Sequence, residues 1–218
     1  MIDFLQNLDT QWLLAINGWH SSMADAFMYT YSGKWIWVPL YAALLIMLAR
    51  RYGWRNALGF LLMAVAIIAV TDQLCATVLR PLVERLRPAN PANALSEAVH
   101  TVAGYRGGQY GFPSCHAANT FALSVFFALL TRSRHLTVAM LLWAALNCYS
   151  RIYLGVHYPG DILAGAFIGS GIAAVAYWAM RTYVNVPDVR GNRFTDIPVV
   201  VWLLTTVGIF IFAMFHKF

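Results

Sequence analysis

A histidine, an aspartate and an arginine lie close together in residues 150–161, which read Ser-Arg-Ile-Tyr-Leu-Gly-Val-His-Tyr-Pro-Gly-Asp. An imidazole attacks an electrophile through one ring nitrogen when a carboxylate holds the other, and a neighbouring guanidinium binds an anion. This makes His157 the candidate nucleophile, Asp161 its partner and Arg151 an anion-binding residue. The Pro-Gly pair before Asp161 predicts a turn, with Asp161 at the N-cap of the next helix.

Two further segments carry residue types that bind phosphate. Arg80 and Arg87 are seven residues apart, so on a continuous helix their side chains would share one face. Residues 112–116, Phe-Pro-Ser-Cys-His, have the pattern of a helix start, where free backbone amides favour an anion. Ser114 would lie at that start, and His116 would stand one turn into the anion site.

Together these residues suit phosphoryl transfer without a metal. In such a reaction arginines neutralise the phosphate oxygens, one histidine attacks phosphorus, and the other protonates the leaving oxygen. No second carboxylate at a motif position accompanies Asp161, which argues against a two-metal site. The prediction is therefore an enzyme that needs neither a metal nor another cofactor.

The composition predicts where this chemistry takes place. The chain has 218 residues, of which 60% are apolar and only 11% charged, with a mean hydropathy of +0.60. Soluble domains are about half apolar and about a quarter charged, so this is an integral membrane protein. The net charge of +6 suits anionic lipid or an anionic substrate, and no lysine or arginine block indicates nucleic acid.

Six apolar segments approach the roughly 20 residues that cross a bilayer as a helix. They are residues 35–49, 56–79, 115–131, 135–152, 161–182 and 198–215. Residues 4–19 form an amphipathic pattern with Trp12 and Trp19 as interfacial anchors, and the alternative is a poorly apolar span. We therefore expect one domain over residues 1–218, an all-α integral membrane bundle of six transmembrane helices with an N-terminal interfacial amphipathic helix.

Basic residues predict the orientation of this bundle. One side carries Arg50, Arg51, Arg55, Arg132, Arg134, Arg181, Arg190 and Arg193. The other carries Lys34, Arg80, Arg85, Arg87, Arg106, Arg151 and Lys217. The positive-inside rule places the first group in the cytoplasm if the arginines at 80, 87 and 151 are kept for chemistry. The three motif segments then meet at the outer face.

The same segments resemble the motifs of the type 2 phosphatidic acid phosphatase family, which are Lys-x6-Arg-Pro, Pro-Ser-Gly-His and Ser-Arg-x5-His-x3-Asp. Their counterparts here are Arg80-x6-Arg87-Pro88, Pro113-Ser114-Cys115-His116 and Ser150-Arg151-x5-His157-x3-Asp161. The resemblance implies that His157 forms a phosphohistidine, that Asp161 orients and activates it, and that His116 is the general acid. It further implies that the phosphate is bound by Arg80, Arg87, Arg151, Ser114 and the backbone amide of Cys115.

Two positions depart from the family pattern. Arg80 stands where the family has lysine, which keeps the charge but exchanges a compact ammonium for a planar fork. Cys115 stands where the family has glycine, so a side chain can crowd the phosphate loop. Neither change removes a titrating catalytic group, and activity is expected. The thiol of Cys115 is predicted to make the enzyme sensitive to thiol reagents.

The family allows several substrates at the outer face of a bacterial inner membrane: undecaprenyl diphosphate, a lipid A phosphate, phosphatidylglycerol phosphate or phosphatidic acid. The loop 89–112 is short and holds one basic residue, which favours a small headgroup such as an isoprenyl diphosphate. Its candidate headgroup contacts are Tyr105, Arg106, Gln109 and Tyr110.

The alternatives in other functional classes are a lipid-to-lipid phosphotransferase and a non-enzymatic lipid transporter on the same scaffold. Arg85 and Glu84 are left unassigned: pairing with neighbours or with lipid headgroups would explain them, and neither is counted among the catalytic residues.

Overall fold

The computed structural model describes residues 2–187, 189 and 194–216. Arg190, Arg193 and Lys217, which contribute to the charge count above, lie outside these residues. Within the described ranges the regular structure is helical, and one antiparallel bridge joins Leu86 to Tyr110. The prediction of an all-α fold is confirmed.

Nine α-helices occur in the part of the chain that the structure describes. They are α1 (Ile2–Asn17), α2 (Ser22–Tyr31), α3 (Val38–Tyr52), α4 (Trp54–Gln73), α5 (Arg80–Val83), α6 (Cys115–Thr131), α7 (Arg134–Tyr153), α8 (Pro159–Tyr183) and α9 (Asp196–Phe215). A 3-10 turn, Trp35–Trp37, precedes α3, and a π-helical turn, Leu74–Leu79, joins α4 to α5. Each of the six predicted segments is helical, whereas α2 was not predicted.

Three helices are long and apolar enough to cross a membrane: α4 with its continuation to Val83, α8 and α9. Helix α2 and the segment Trp35–Tyr52 reach that standard only as a pair, which is bent by 69°. Helix α6 is apolar but shorter, with 17 residues. Helix α7 carries Asn147, Ser150 and Arg151 near its end, which lowers its hydropathy. By length and composition the described helices therefore give three clear spans and a bent fourth, fewer than the six predicted.

Large apolar side chains cover the outside of these helices. Leu62 on α4, Phe167 on α8 and Leu204 on α9 are 61%, 83% and 66% exposed. Such a continuous apolar surface is unstable in water and typical of helices that face lipid. The interior holds a separate aromatic cluster that includes Trp37 and Trp143, whose rings meet edge to face.

Helices α6 and α8 pack with their backbones in direct contact. A Cβ on Gly165 would lie 2.3 Å from the Ser114 carbonyl oxygen, and one on Gly169 would lie 1.9 Å from that of Ala118. Small residues four apart allow this approach between membrane helices. The backbone N–H of Ser114 also donates to the carbonyl of Asp161 at 3.0 Å. The start of α6 is thereby fixed against the start of α8.

Arg51 joins three segments of the chain at the opposite end of the bundle. Its Nη2 donates to the carbonyl oxygens of Thr131 at 3.1 Å and Val189 at 2.6 Å. The guanidinium thus ties the end of α3 to the end of α6 and to the segment before α9. This arginine, which was counted for orientation, also has a structural role.

Candidate active site

The first motif turns rather than continuing as a helix. Helix α5 ends at Val83, and Glu84 adopts a left-handed conformation with φ of 50°. The expectation that Arg80 and Arg87 share a helix face is therefore wrong. Both side chains nevertheless reach the other motifs, because Arg80 donates to the Pro113 carbonyl at 3.4 Å and Arg87 reaches the third motif.

The second motif forms the predicted helix start. Ser114 is the N-cap of α6, and its Oγ accepts a hydrogen bond from the Ala117 N–H at 3.4 Å. His116 is the second residue of α6. It therefore lies closer to the start of the helix than the one full turn that was predicted. The first-turn amides of α6 and the helix dipole favour an anion at this point.

The side chain of Cys115 lies in a helix interface. It packs against Cys75 and Ala118, between the π-helical turn and α6. The sulfur-bearing side chain that replaces the family's glycine is therefore accommodated by helix packing. Because Cys115 is only 7% exposed, we predict that thiol reagents act on it slowly.

The third motif places Asp161 inside the first turn of α8. Pro159 is the first residue of this helix and Tyr158 is its N-cap, so the expectation of Asp161 at the N-cap is wrong. A proline at the first position fixes the N-cap at Tyr158, three residues before the expected one. The Asp161 carboxylate instead reaches back, and its Oδ2 accepts from the Tyr158 N–H at 3.0 Å. That oxygen also lies 3.3 Å from Nδ1 of His157.

The hydrogen bonds of His157 define its tautomer. Its Nε2 lies 2.8 Å from Nη1 of Arg87, and a guanidinium only donates, so Nε2 carries the lone pair. Nδ1 then carries the proton and faces Asp161. Burial, followed by the charges of Arg87, Arg151 and Arg80, holds the pKa of His157 well below its usual 6.5. The imidazole is therefore neutral at pH 7, with its lone pair on Nε2.

Two buried arginines offer free donors beside this imidazole. Arg151 donates from Nη1 to Ser32 Oγ and from Nη2 to the Tyr105 hydroxyl at 2.8 Å. The Nε atoms of Arg87 and Arg151 are buried and have no hydrogen-bond partner among the described residues. Phosphate oxygens are suitable acceptors for such N–H groups. Burial, then Arg80 and Arg151, lowers the pKa of Arg87 to about 10, which leaves it charged at pH 7.

The remaining histidine belongs to the same electrostatic cluster, since His116 interacts with His157 and with the three motif arginines. The structure thus brings together all eight residues predicted for the site. They are His157, His116, Asp161, Arg80, Arg87, Ser114, Cys115 and Arg151.

Among the loop candidates, Tyr105 touches the site through Arg151, whereas Arg106 donates to the Ala89 carbonyl at 2.7 Å. In this structure the guanidinium of Arg106 therefore bonds the loop's own backbone.

Sequence reasoning missed three residues near the His157–Asp161 pair. Arg85 and Gly111 lie directly beside the pair, and Asp9 reaches it through Arg85. Arg85, which was left unassigned, forms ion pairs with Asp161 and with Asp9 of α1. Gly111 lies so close that a Cβ there would be 3.0 Å from Asp161 Oδ2 and 3.5 Å from His157 Nδ1. Arg85 follows the first motif arginine within the same segment, and Gly111 directly precedes the second motif, so proximity in sequence was the available signal.

The three motifs lie within a region that matches a known family. The model of the PAP2 superfamily matches residues 57–185. The chain belongs to that superfamily. A lipid A 4'-phosphatase of Bacteroides thetaiotaomicron is 44% identical over 98% of this chain and 99% of its own length. A lipid A 4'-phosphatase of Porphyromonas gingivalis is 30% identical over 98% of this chain and 92% of its own.

More distant similarities extend the comparison. An undecaprenyl-diphosphatase of Sulfolobus acidocaldarius is 32% identical over 67% of this chain and 65% of its own length. The crystal structure of Aquifex aeolicus LpxE aligns with a TM-score of 0.61 at 24% identity, covering 78% of this chain and 94% of that one. The prediction that this PAP2 protein is a lipid phosphatase is confirmed. The comparisons favour the lipid A alternative over the isoprenyl diphosphate that loop length favoured.

Proposed function

We propose that this PAP2 phosphatase hydrolyses a phosphomonoester of lipid A, at the 4' position, through a phosphohistidine and without a metal. The observation that carries the mechanism is the arrangement Asp161–His157–Arg87. It presents a neutral imidazole whose Nδ1 is held by a carboxylate at 3.3 Å and whose Nε2 lies 2.8 Å from a phosphate-binding guanidinium. The observation that supports the substrate is the likeness to two lipid A 4'-phosphatases over nearly the whole chain.

The first half-reaction transfers the phosphoryl group to the protein. Nε2 of His157 forms a bond to phosphorus while the bond from phosphorus to the lipid oxygen breaks, and His116 gives its proton to that oxygen. The guanidinium groups of Arg80, Arg87 and Arg151 take up the charge of the phosphate oxygens. The Asp161 carboxylate accepts a hydrogen bond from Nδ1–H of His157 and stabilises the positive charge that develops on the ring.

The second half-reaction restores the enzyme. Water attacks phosphorus, its proton passes to His116, and the bond from phosphorus to Nε2 of His157 breaks. The products are inorganic phosphate and the neutral imidazole. A phosphotransferase would use the same first step and discharge the phosphoryl group to a second lipid, so phosphate release without an added acceptor separates the two reactions.

The site lies at one end of the bundle, and we place that end at the outer surface of a bacterial inner membrane. The ends of α5 and α7 meet the starts of α6 and α8 there, which requires alternate helices to run in opposite directions. The other end of the bundle carries the arginines at 50, 51, 55, 132, 134 and 181. The positive-inside rule places such a basic end in the cytoplasm. In this arrangement α3, α4, α6, α7, α8 and α9 would make the six crossings predicted from the sequence, more than the three clear spans that length and composition give among the described helices.

Helix α1 then lies in the membrane interface beside the site. Its inner face carries the buried residues Leu13 and Asn17, while Phe4, Leu5 and Trp12 are exposed on the outer face. An apolar outer face on a helix docked at the membrane surface suits contact with lipid. A lipid phosphate approaching from the outer leaflet would meet this helix next to the arginines.

The test is phosphate release by purified protein in detergent from four lipids: bis-phosphorylated lipid A, undecaprenyl diphosphate, phosphatidylglycerol phosphate and phosphatidic acid. Mass spectrometry locates the phosphate that lipid A loses, and His157→Ala supplies the blank. We expect loss of the 4'-phosphate from lipid A and none in the variant. Release from undecaprenyl diphosphate with none from lipid A would overturn the substrate, and release unaffected in His157→Ala would overturn the nucleophile.

A further inference from the structure

Arg85 lies between two carboxylates that come from distant parts of the chain. Its Nη1 is 2.9 Å from Oδ1 of Asp161, and its Nη2 is 2.6 Å from Oδ2 of Asp9. The guanidinium also lies over the Tyr158 ring, 3.9 Å from the ring centroid. These contacts fix the guanidinium that holds Oδ1 of Asp161, the carboxylate oxygen that does not contact His157.

Asp9 is itself held in place by the element that carries the catalytic carboxylate. Its Oδ1 accepts the backbone N–H of Gly160 at 2.7 Å, in the first turn of α8. A Cβ on Gly160 would lie 2.8 Å from Oδ2 of Asp9, so a side chain there would displace the Asp9 carboxylate. Both oxygens of Asp9 are therefore used, one on Arg85 and one on the start of α8.

The helix that carries Asp9 is anchored beside the site. Asn17, at the end of α1, donates to the carbonyls of Tyr153 at 2.7 Å and His100 at 2.9 Å. Leu13 is fully buried in a cluster with Ile162 of α8. Because α1 is fixed by these contacts, Asp9 has a defined position relative to Arg85.

The charges in this chain of contacts bear on the reaction. Asp9, Arg85 and Asp161 together carry a net charge of −1, and without Asp9 that sum would be zero. When His157 bonds to phosphorus its ring becomes positive, and a negative partner stabilises that charge in a buried site. Without Asp9, the whole charge of Arg85 would act on Asp161 and weaken its effect on the imidazole.

We propose that Asp9 is a positioning residue for the catalytic pair, acting through Arg85 to set the orientation and effective charge of Asp161 and so the nucleophilicity of His157. The N-terminal helix is thus part of the catalytic apparatus. This inference rests on the proposed function, because it assigns Asp9 to the phosphohistidine step.

The experiment compares four variants of the full-length protein. Asp9→Asn removes the charge with little change of shape, Asp9→Glu restores it, and Gly160→Ala pushes the carboxylate out of place. Asp3→Asn is the matched control, since it makes the same charge change at an exposed position of the same helix. Steady-state kinetics, the pH dependence of kcat and thermal unfolding are measured for each.

We expect Asp9→Asn and Gly160→Ala to lower kcat by about 10- to 100-fold, with KM changed less than about twofold. Asp9→Glu should recover part of the loss, and Asp3→Asn should match the wild type. The acid limb of the kcat profile should move to lower pH in Asp9→Asn, because removal of a negative charge makes His157 harder to protonate. A purely structural role for Asp9 would not move that limb.

Wild-type kcat in Asp9→Asn would overturn the inference. So would a loss of kcat that accompanies unfolding and leaves the pH profile unchanged. If the wild type hydrolyses another lipid phosphate but not lipid A, the substrate proposal fails and the four variants are compared on that lipid. If the wild type hydrolyses none of the four lipids, the proposed function fails, and the inference fails with it.

Discussion

Nη1 of Arg87 donates to Nε2 of His157 at 2.8 Å and to the Val156 carbonyl at 2.9 Å. The nitrogen proposed to attack phosphorus is therefore already in contact with a group proposed to bind the phosphate. This contact keeps the lone pair on Nε2 directed at a cation. In the proposed mechanism, we expect the phosphate oxygens to replace the imidazole as the acceptor for Arg87.

Replacement of Arg87 by lysine should impair catalysis although the charge is kept. A lysine ammonium lacks the planar fork that reaches both His157 and the Val156 carbonyl. We expect kcat/KM to fall about 10²- to 10³-fold, which corresponds to roughly 2.7–4 kcal/mol of transition-state stabilisation. Arg55→Lys, at an exposed position of α4, is the control and should be neutral. Equal activity of the two variants would show that Arg87 serves only as a charge.

Stability should fall on acidification because His157 is buried as a neutral group. Its pKa is lower in the folded than in the unfolded protein, where it is near 6.5, so the unfolded state binds more protons below that pH. The free energy of unfolding should decrease as pH falls from about 6.5 towards the folded pKa, by at most about 1.4 kcal/mol per pH unit. Thermal unfolding in detergent at a series of pH values measures this decrease in stability. His157→Gln should lose that part of the pH dependence, and an unchanged slope in the variant would contradict the assignment.

Gly111→Ala should reduce turnover with little effect on folding. Its Cβ would lie 3.0 Å from Asp161 Oδ2, which must give by a few tenths of an ångström, and in ordinary contact with His157 Nδ1 at 3.5 Å. Small displacements of reacting groups cost up to about 100-fold in rate, and we expect a fall of about 10- to 100-fold in kcat. Gly108→Ala, in the same loop with no atom within 4 Å of its added Cβ, should match the wild type. The test compares kcat of the Gly111→Ala and Gly108→Ala variants. Equal values would show that Gly111 has no role in the site.

The motif residues could be predicted from sequence because their side-chain chemistry and spacing are local properties. What could not be predicted is how the chain turns between them. Glu84 takes a left-handed conformation that ends α5, and no residue type at that position indicates it. The helix start at Pro159 moved Asp161 from the expected N-cap to the third helical position, a shift of three residues that is within the usual error of helix ends predicted from sequence.

Long-range contacts were the other source of error. Asp9 and Asp161 are joined through Arg85, although they are separated by most of the chain. Nothing in the local pattern around Asp9 predicts that partner, because the pairing depends on where α1 docks. Membrane spans were predicted from apolar length alone, which cannot distinguish a straight span from the pair α2 and Trp35–Tyr52, bent by 69°.

Activity should survive chelation of divalent cations. In the proposed mechanism the phosphate charge is taken up by Arg80, Arg87 and Arg151, and the nucleophile is an imidazole that needs no metal activation. Phosphate release in excess EDTA should equal that in untreated enzyme within about twofold. Loss of activity in EDTA that is restored by Mg²⁺ would contradict this mechanism.

The contact between α6 and α8 should be sensitive to a single methyl group. A Cβ on Gly169 would lie 1.9 Å from the Ala118 carbonyl oxygen, and backbone atoms cannot move aside as a flexible side chain does, so the helices must separate. We expect Gly169→Ala to destabilise the protein by about 1–3 kcal/mol, the usual cost of overpacking. Gly171→Ala, two residues along α8 with nothing within 4 Å of its Cβ, should be neutral or slightly stabilising, since alanine favours a helix. Thermal unfolding and phosphate release are measured together. Separation of the helices also moves Ser114 away from Asp161, so Gly169→Ala should lose activity at temperatures where it is still folded. A stable and fully active Gly169→Ala would show that the close contact of α6 and α8 does not position the site.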